Sequence, residues 1–227
     1  MGMSEKDQMD KRSQLLELAQ KRKRSRWNGY KCIGDYHGGV YECGYVSPYT
    51  KSAHNVNSDI MVILQDWSSI LAISGPIDIE AIKYGYTPSN RTNINLIRLL
   101  DAHFGFKLND IYATNLFPFI KPGALNAPIR QRDLIRAAQE FGLPQIKIIG
   151  PKLVVCIGQN TFNAMRRACG YEGWPNRNLA IESPFNVDRC RIWCQAHTAQ
   201  LAQNTRGVDR VSSDWKQMKD AVFSPRF

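Results

Sequence analysis

The sequence predicts an α/β fold: a central, mostly parallel four-stranded sheet with helices on both faces, a three-layer α/β/α sandwich. Three observations carry this. Short continuous apolar runs at 59–64, 111–114, 152–157 and 191–196 have the length of strands buried on both faces. Segments of helical spacing alternate with them, the pattern of a parallel sheet with crossover helices. Apolar residues are 43% of the 227 and charged residues 22%, the balance of a globular chain that needs no disulfide or metal staple.

The elements follow in order. Residues 5–26 read as a helix, with Leu15, Leu16, Leu18 and Ala19 on one face and a basic end from Lys21 to Arg26. That end is either solvated or a phosphate contact. Residues 27–58 are rich in Gly, Tyr and Asn and read as irregular structure with short strands. The division expected is therefore an N-terminal helix and irregular basic arm, 1–58, packed on a catalytic domain, 59–227. Within that domain Asp59–Leu64 is the first strand. Residues 70–90, with Gly75, Pro76, Gly85 and Pro88, read mainly as loop. Asn93–Phe104 places Ile94, Ile97, Leu100 and Phe104 at helical spacing. Ile111–Thr114 is the second strand, stopping at Asn115, and a proline-rich loop follows to 128. Arg130–Phe141, continuing towards Ile149, is a helix. Lys152–Ile157 is the third strand, with Gly158 at its end and a helix over Thr161–Ala168. Arg191–Ala196 is the fourth, ending at His197, and Val208–Val222 is the last helix.

Thirty Lys and Arg against twenty Asp and Glu leave a net charge of +10. Residues 1–26 hold eight basic and four acidic side chains, so most of the excess lies on the body. A basic body suits a polyanionic partner, nucleic acid above all. No run of about 18 apolar residues is present, so no membrane span is expected. The N-terminus is charged from Glu5 onward without an apolar core, so no secretory leader is expected and the compartment expected is the cytoplasm. Six cysteines (Cys32, Cys43, Cys156, Cys169, Cys190, Cys194) include no C-x-x-C pair, and disulfides are not expected. Cys32, His37 and Cys43 do not match zinc-finger spacing, so no metal is expected there.

The polar residues Gln65-Asp66, Asn115, Gly158-Gln159 and His197 each stand where an apolar run stops. In open α/β sheets, sites form outside the carboxyl ends of the strands. Alone, each residue is an ordinary turn former or helix cap. Together they would bring an acid, an amide, a glycine turn and an imidazole to one crevice.

In order and spacing these four strand ends resemble the uracil-DNA glycosylase superfamily, over roughly residues 59–215. Ile63-Leu64-Gln65-Asp66-Trp67-Ser68 is similar to its G-Q-D-P-Y-H segment, whose Asp orients or activates the attacking water. Tyr112-Ala113-Thr114-Asn115 resembles the strand whose terminal Asn reads the base edge. Pro151–Gly158 resembles a strand and its backbone-binding loop. His197-Thr198-Ala199-Gln200-Leu201, followed by Arg206-Gly207, resembles the H-P-S-P-L segment and its trailing Arg-Gly.

The resemblance implies a monofunctional DNA glycosylase with a uracil-DNA glycosylase-like fold. It would flip a nucleotide and hydrolyse the N-glycosidic bond of uracil or a modified pyrimidine, leaving an abasic site, as in base-excision repair. Asp66 and His197 would be catalytic: Asp66 positions water for C1′, and His197, with the Gln65 backbone N–H, stabilises the leaving base. Gln65, Trp67, Ser68 and Asn115 would bind the base, with Tyr84, Tyr86, Phe117 and Phe119 as further candidates to stack on it. Lys121, Gly158, Gln159, Asn160, Leu201 and Arg206 would hold the DNA, with Leu201 wedged into the stack. DNA is the partner, the protein is expected as a monomer, and no cofactor is needed. Cysteine spacing differs from that of the iron–sulfur branch, so no cluster is expected.

The departures bear on specificity. Trp67-Ser68 replaces Pro-Tyr, and the Tyr of that family walls the pocket against a C5 substituent. With Ser68 there, space opens beside C5 unless Trp67 or another ring fills it. An alternative substrate is then a bulky C5-modified cytosine, as in phage DNA, which would make the enzyme an antiphage defence. Thr198 replaces the Pro after the catalytic His and alters the wedge loop. Two other classes remain open: a non-catalytic DNA-binding module of the same fold, which would not need Asp66, Asn115 and His197 together, and a small-molecule nucleoside hydrolase, which would not need the basic body or Leu201.

Overall fold

The computed structural model describes residues 5–224; residues 1–4 of the expected arm and 225–227 of the expected catalytic domain lie outside the described residues. The fold is α/β around a five-stranded, mostly parallel sheet. In chain order the elements are α1 (Glu5–Arg24), β1 (Ile60–Asp66), α2 (Ile70–Ile73), α3 (Ile79–Tyr84), α4 (Arg91–Phe104), β2 (Tyr112–Phe117), α5 (Gln131–Ala137), α6 (Leu143–Ile149), β3 (Leu153–Ile157), α7 (Gln159–Ala168), α8 (Arg177–Glu182), β4 (Phe185–Val187), β5 (Cys190–Gln195), α9 (Gln200–Arg206) and α10 (Val208–Phe223). A π-helical turn, Ala138–Gly142, joins α5 to α6.

The strand order is β2-β1-β3-β5-β4. β1 pairs in parallel with β2 and β3, and β3 in parallel with β5. The four apolar runs form these four strands because each is buried on both faces. Met61, Ile63, Val154 and Cys156 face one core, which holds Phe117, Phe141 and Phe162. Ile60, Val62, Val155 and Ile157 face the other, with Leu96, Leu100 and Trp215. The expected count of four strands is corrected by β4, an antiparallel edge strand hairpinned onto β5. Its turn uses Asp188 at φ 50°, the left-handed conformation that Asp tolerates better than most residues.

Residues 70–90 carry two short helices, α2 and α3, set in loop that holds Gly75, Pro76, Gly85 and Pro88; Asp78 caps α3 by accepting from the Ala81 N–H. Residues 27–58 contain 3₁₀ turns and isolated bridges, Lys31 with Ile120 and His54 with Tyr112, rather than short strands.

The arm shares the core. Leu15 and Trp27 belong to the Phe117–Phe141 cluster, and the Trp27 and Phe119 rings lie 4.9 Å apart. The basic end of α1 is partly consumed in packing. Arg22 is fully buried, forks onto both Glu42 oxygens at 2.7 and 2.6 Å, and donates to the Tyr45 carbonyl. Lys21 pairs with Glu140 at 3.2 Å. Among the described residues no helix is long and apolar enough to cross a membrane.

Candidate active site

Because β1, β2, β3 and β5 run in parallel, their carboxyl ends open onto one edge of the sheet. A cavity of about 510 Å³ lies there, within the usual range for ligand pockets. Gln65, Asp66, Trp67, Ser68, Asn115, Lys121, Asn160 and His197 all line it. Gln65-Asp66, Asn115 and His197 thus share one space, while at the β3 end Asn160, rather than Gly158 or Gln159, reaches the lining.

Asp66 is the last residue of β1, two residues beyond the expected stop, and both its carboxylate oxygens are held. The Gln65 Nε2 donates to Oδ1 at 2.9 Å, and the Lys121 ammonium stands 2.9 Å from Oδ2. Lys121 also donates to the Leu125 carbonyl at 2.6 Å. Its side chain is 2% exposed, so its assignment to the DNA backbone is corrected: the charge is committed to Asp66 inside the cavity wall. A carboxylate oxygen accepts more than one bond, so Asp66 can still accept from a water in the cavity.

His197 follows β5 and packs beside Gly158. Gly158 adopts φ +95°, open to glycine at little cost, and a Cβ built there would lie 3.6 Å from His197 Cδ2. The Ala199 N–H donates to His197 Nδ1 at 3.0 Å. With Nδ1 an acceptor, the neutral ring carries its proton on Nε2. Burial pushes the His197 pKa below its ordinary value; the Asp66 carboxylate opposes this and Lys121 adds to it. The ring is therefore a neutral hydrogen-bond donor lining the cavity.

Asn115 lies inside β2, which continues to Phe117, so the expected strand stop at this residue is corrected. It is 1% exposed, yet it lines the cavity. The Ser47 hydroxyl donates to Asn115 Oδ1 at 2.5 Å while accepting from the Tyr49 N–H at 3.2 Å. The Tyr49 bond leaves the hydroxyl proton for an acceptor, which orients the amide. Ser47 and Tyr49 come from the arm and carry no catalytic pattern in sequence. Ser47-Pro48 signals only a helical-turn start, a cap before proline.

Trp67 is anchored by its Nε1–H to the Gly85 carbonyl at 2.8 Å and meets Tyr41 edge to face. Gly85 permits this as no other residue can: it sits at φ +80°, and a Cβ there would fall 1.8 Å from the Pro48 carbonyl oxygen. Ser68, Tyr86, Thr87, Asn90 and Asn93 extend the lining beyond Trp67. Sequence reasoning missed the Thr87–Asn93 wall; its run of Thr and Asn is the signal for a polar surface. Tyr84 is not part of the lining. Phe117 and Phe119 are core residues, packed on Trp27 and essentially without exposure.

Of the remaining candidates, Gly158, Gln159 and Asn160 form the N-terminus of α7, whose first backbone N–H groups lack helical partners and suit an anion. Leu201 is 79% exposed in the first turn of α9. Arg206 is corrected. Its guanidinium is buried and forks onto Asp214 at 2.8 and 3.0 Å, with a third bond to Asn178, so it braces α9 against α10 and α8 rather than facing a phosphate. Cys32, His37 and Cys43 do not gather: His37 Nε2 donates to the Ile73 carbonyl, and the two thiols lie in separate buried settings. In comparisons with known proteins, the chain matches no family model and no curated sequence.

Proposed function

We propose that the protein is a DNA glycosylase hydrolysing the N-glycosidic bond of a flipped pyrimidine, built on a three-layer α/β/α sandwich of the uracil-DNA glycosylase type. The observation that carries the reading is the meeting of Asp66, Asn115 and a neutral, Nε2-protonated His197 in one cavity, the first two in β1 and β2 and the third just beyond β5. Burying both faces of the sheet supports the layered fold.

The chemistry follows from charge. As the C1′–N bond breaks, its electron pair leaves with the base, and C1′ becomes electron-poor. The Asp66 carboxylate favours that positive charge and accepts the proton of the water whose oxygen bonds to C1′. The His197 Nε2–H donates to the base oxygen that gathers negative charge, and the base anion later takes a proton from solvent. Fixed donors aimed at developing charge are commonly the largest catalytic contribution. Asn115, oriented by Ser47, offers its amide to the base edge. Leu201 is exposed enough to enter the gap a flipped nucleotide leaves.

A second reading within this class is a bulky C5-modified cytosine, with antiphage defence as its role. It is favoured by Ser68 in the wall and by the extension of the cavity to Tyr86, Thr87 and Asn93. The test is base release from DNA carrying uracil, a thymine mismatch or C5-modified cytosine, read by mass spectrometry. Release of uracil alone makes this a repair enzyme. Release of the modified base alone makes the open C5 side the function. Binding without release from any substrate leaves a DNA-binding module, and release from free nucleosides a nucleoside hydrolase. Asp66→Asn and His197→Ala should each cut release to a small residual rate; near-wild-type activity in both would strip the two residues of these catalytic roles.

A further inference from the structure

We infer that Lys121 is a positioning residue for the reaction, acting through Asp66; this rests on the glycosylase reading above. Its ammonium stands 2.9 Å from Asp66 Oδ2 and donates to the Leu125 carbonyl at 2.6 Å. The backbone beneath it is fixed too, since the Ile70 N–H donates to the Lys121 carbonyl at 2.8 Å and Ser69 bridges the same residue. An ammonium has three donors, and these contacts occupy two. Lys121 also lines the cavity, so this pair forms part of its wall.

Two functions follow. The first is orientation. Gln65 holds one Asp66 oxygen and Lys121 the other, so the carboxylate plane is clamped before DNA arrives. The second is electrostatic. When DNA covers the cavity and displaces its water, a carboxylate without a cation would be costly to keep ionised, and the nearby Lys121 offsets that cost. The same contacts argue against Lys121 as a nucleophile. Its Nζ is already engaged by Asp66 Oδ2 and by the Leu125 carbonyl.

The test uses the full chain and whichever DNA substrate the wild type cleaves. Lys121→Met should lower kcat roughly 10²-fold, the scale of a misplaced catalytic group, with KM little changed. Lys121→Arg should recover part of the loss. The decisive measurement is the double variant Lys121→Met with Asp66→Asn. If Lys121 acts through Asp66, Lys121→Met adds almost nothing to the residual rate of Asp66→Asn, whereas independent roles multiply. Multiplying effects overturn the inference. So does a salt dependence of DNA binding that falls by about one phosphate contact in Lys121→Met, which would make Lys121 a backbone anchor. A covalent protein–DNA adduct trapped by borohydride would also overturn it, revealing an imine between Nζ and C1′ and hence a lyase. Thermal melts establish that each variant is folded; should Lys121→Met not fold, Lys121→Arg with Asp66→Asn carries the same cycle. If the wild type releases no base at all, the glycosylase reading fails first, and the two failures are thereby told apart.

Discussion

Replacing Arg206 by Met separates a role in DNA binding from a role in the fold. The guanidinium donates to both Asp214 oxygens, at 2.8 and 3.0 Å, and to the Asn178 side chain at 2.7 Å. Both charged side chains are nearly sealed from water, 5% and 9% exposed. Methionine keeps most of the volume but leaves the Asp214 carboxylate buried without a partner. Removing one member of a buried pair costs about 3–5 kcal/mol, much of it from the charge left behind. At this chain length 1 kcal/mol moves Tm by about 2–4 °C, so the expected fall is roughly 6–20 °C. Thermal and urea denaturation of wild type and variant measure it. Arg206→Lys should fall between them, since an ammonium keeps the charge but loses the fork. Replacing both partners, Arg206→Met with Asp214→Leu, should recover most of the stability, because no unpaired charge remains. Folded Arg206→Met should bind DNA as tightly as wild type. An unchanged Tm together with weakened DNA binding would refute the bracing role and return Arg206 to the phosphate backbone.

Three further outcomes are expected. The His197 pKa lies below its ordinary value because of burial, so the unfolded chain binds this proton more readily; the stability it contributes is complete above about pH 6.5 and is lost as pH falls through the folded-state value. Nitrogen NMR of the ring should show the Nε2–H tautomer at neutral pH, and base release should decline over the same acidic window as Nδ1 gains a proton against the Ala199 N–H. Leu201→Ala, at an exposed position, should leave Tm within about 1 °C while slowing base release from duplex far more than from single-stranded DNA. Ser47→Ala removes the donor to the buried Asn115 Oδ1 and should cost about 1–3 kcal/mol in urea denaturation, with relaxed discrimination between bases in the release assay.

The four parallel strands were legible because burial on both faces leaves an uninterrupted apolar run. β4 was not: Phe185-Asn186-Val187 is three residues long, and its pairing depends on the turn at Asp188. α9 was hidden because His197–Leu201 reads first as a loop motif, and helical spacing in seven residues is too short to outweigh it. Asp66, Asn115 and His197 stood out as polar residues beside apolar runs. Lys121 and Arg206 were misread for one shared reason: a sequence counts cations but does not show which ones a carboxylate draws inside. Their partners, Asp66 and Asp214, are fixed only by tertiary packing. Ser47 and Tyr49 were invisible as site residues because nothing in residues 41–50 links them to β2.

The packing of Trp27 against Phe119 and Phe141 has a consequence during synthesis. The arm leaves the ribosome before the sheet does, and its aromatic partner Phe141 is translated more than a hundred residues after Trp27. At about 5–20 residues per second, Trp27 and Leu15 wait on the order of 10 s for their core. Over that interval the nascent arm presents an apolar face with nothing to cover it, and the charges of α1 beside it, Lys21 and Arg24 among them, keep that face soluble until α6 has emerged.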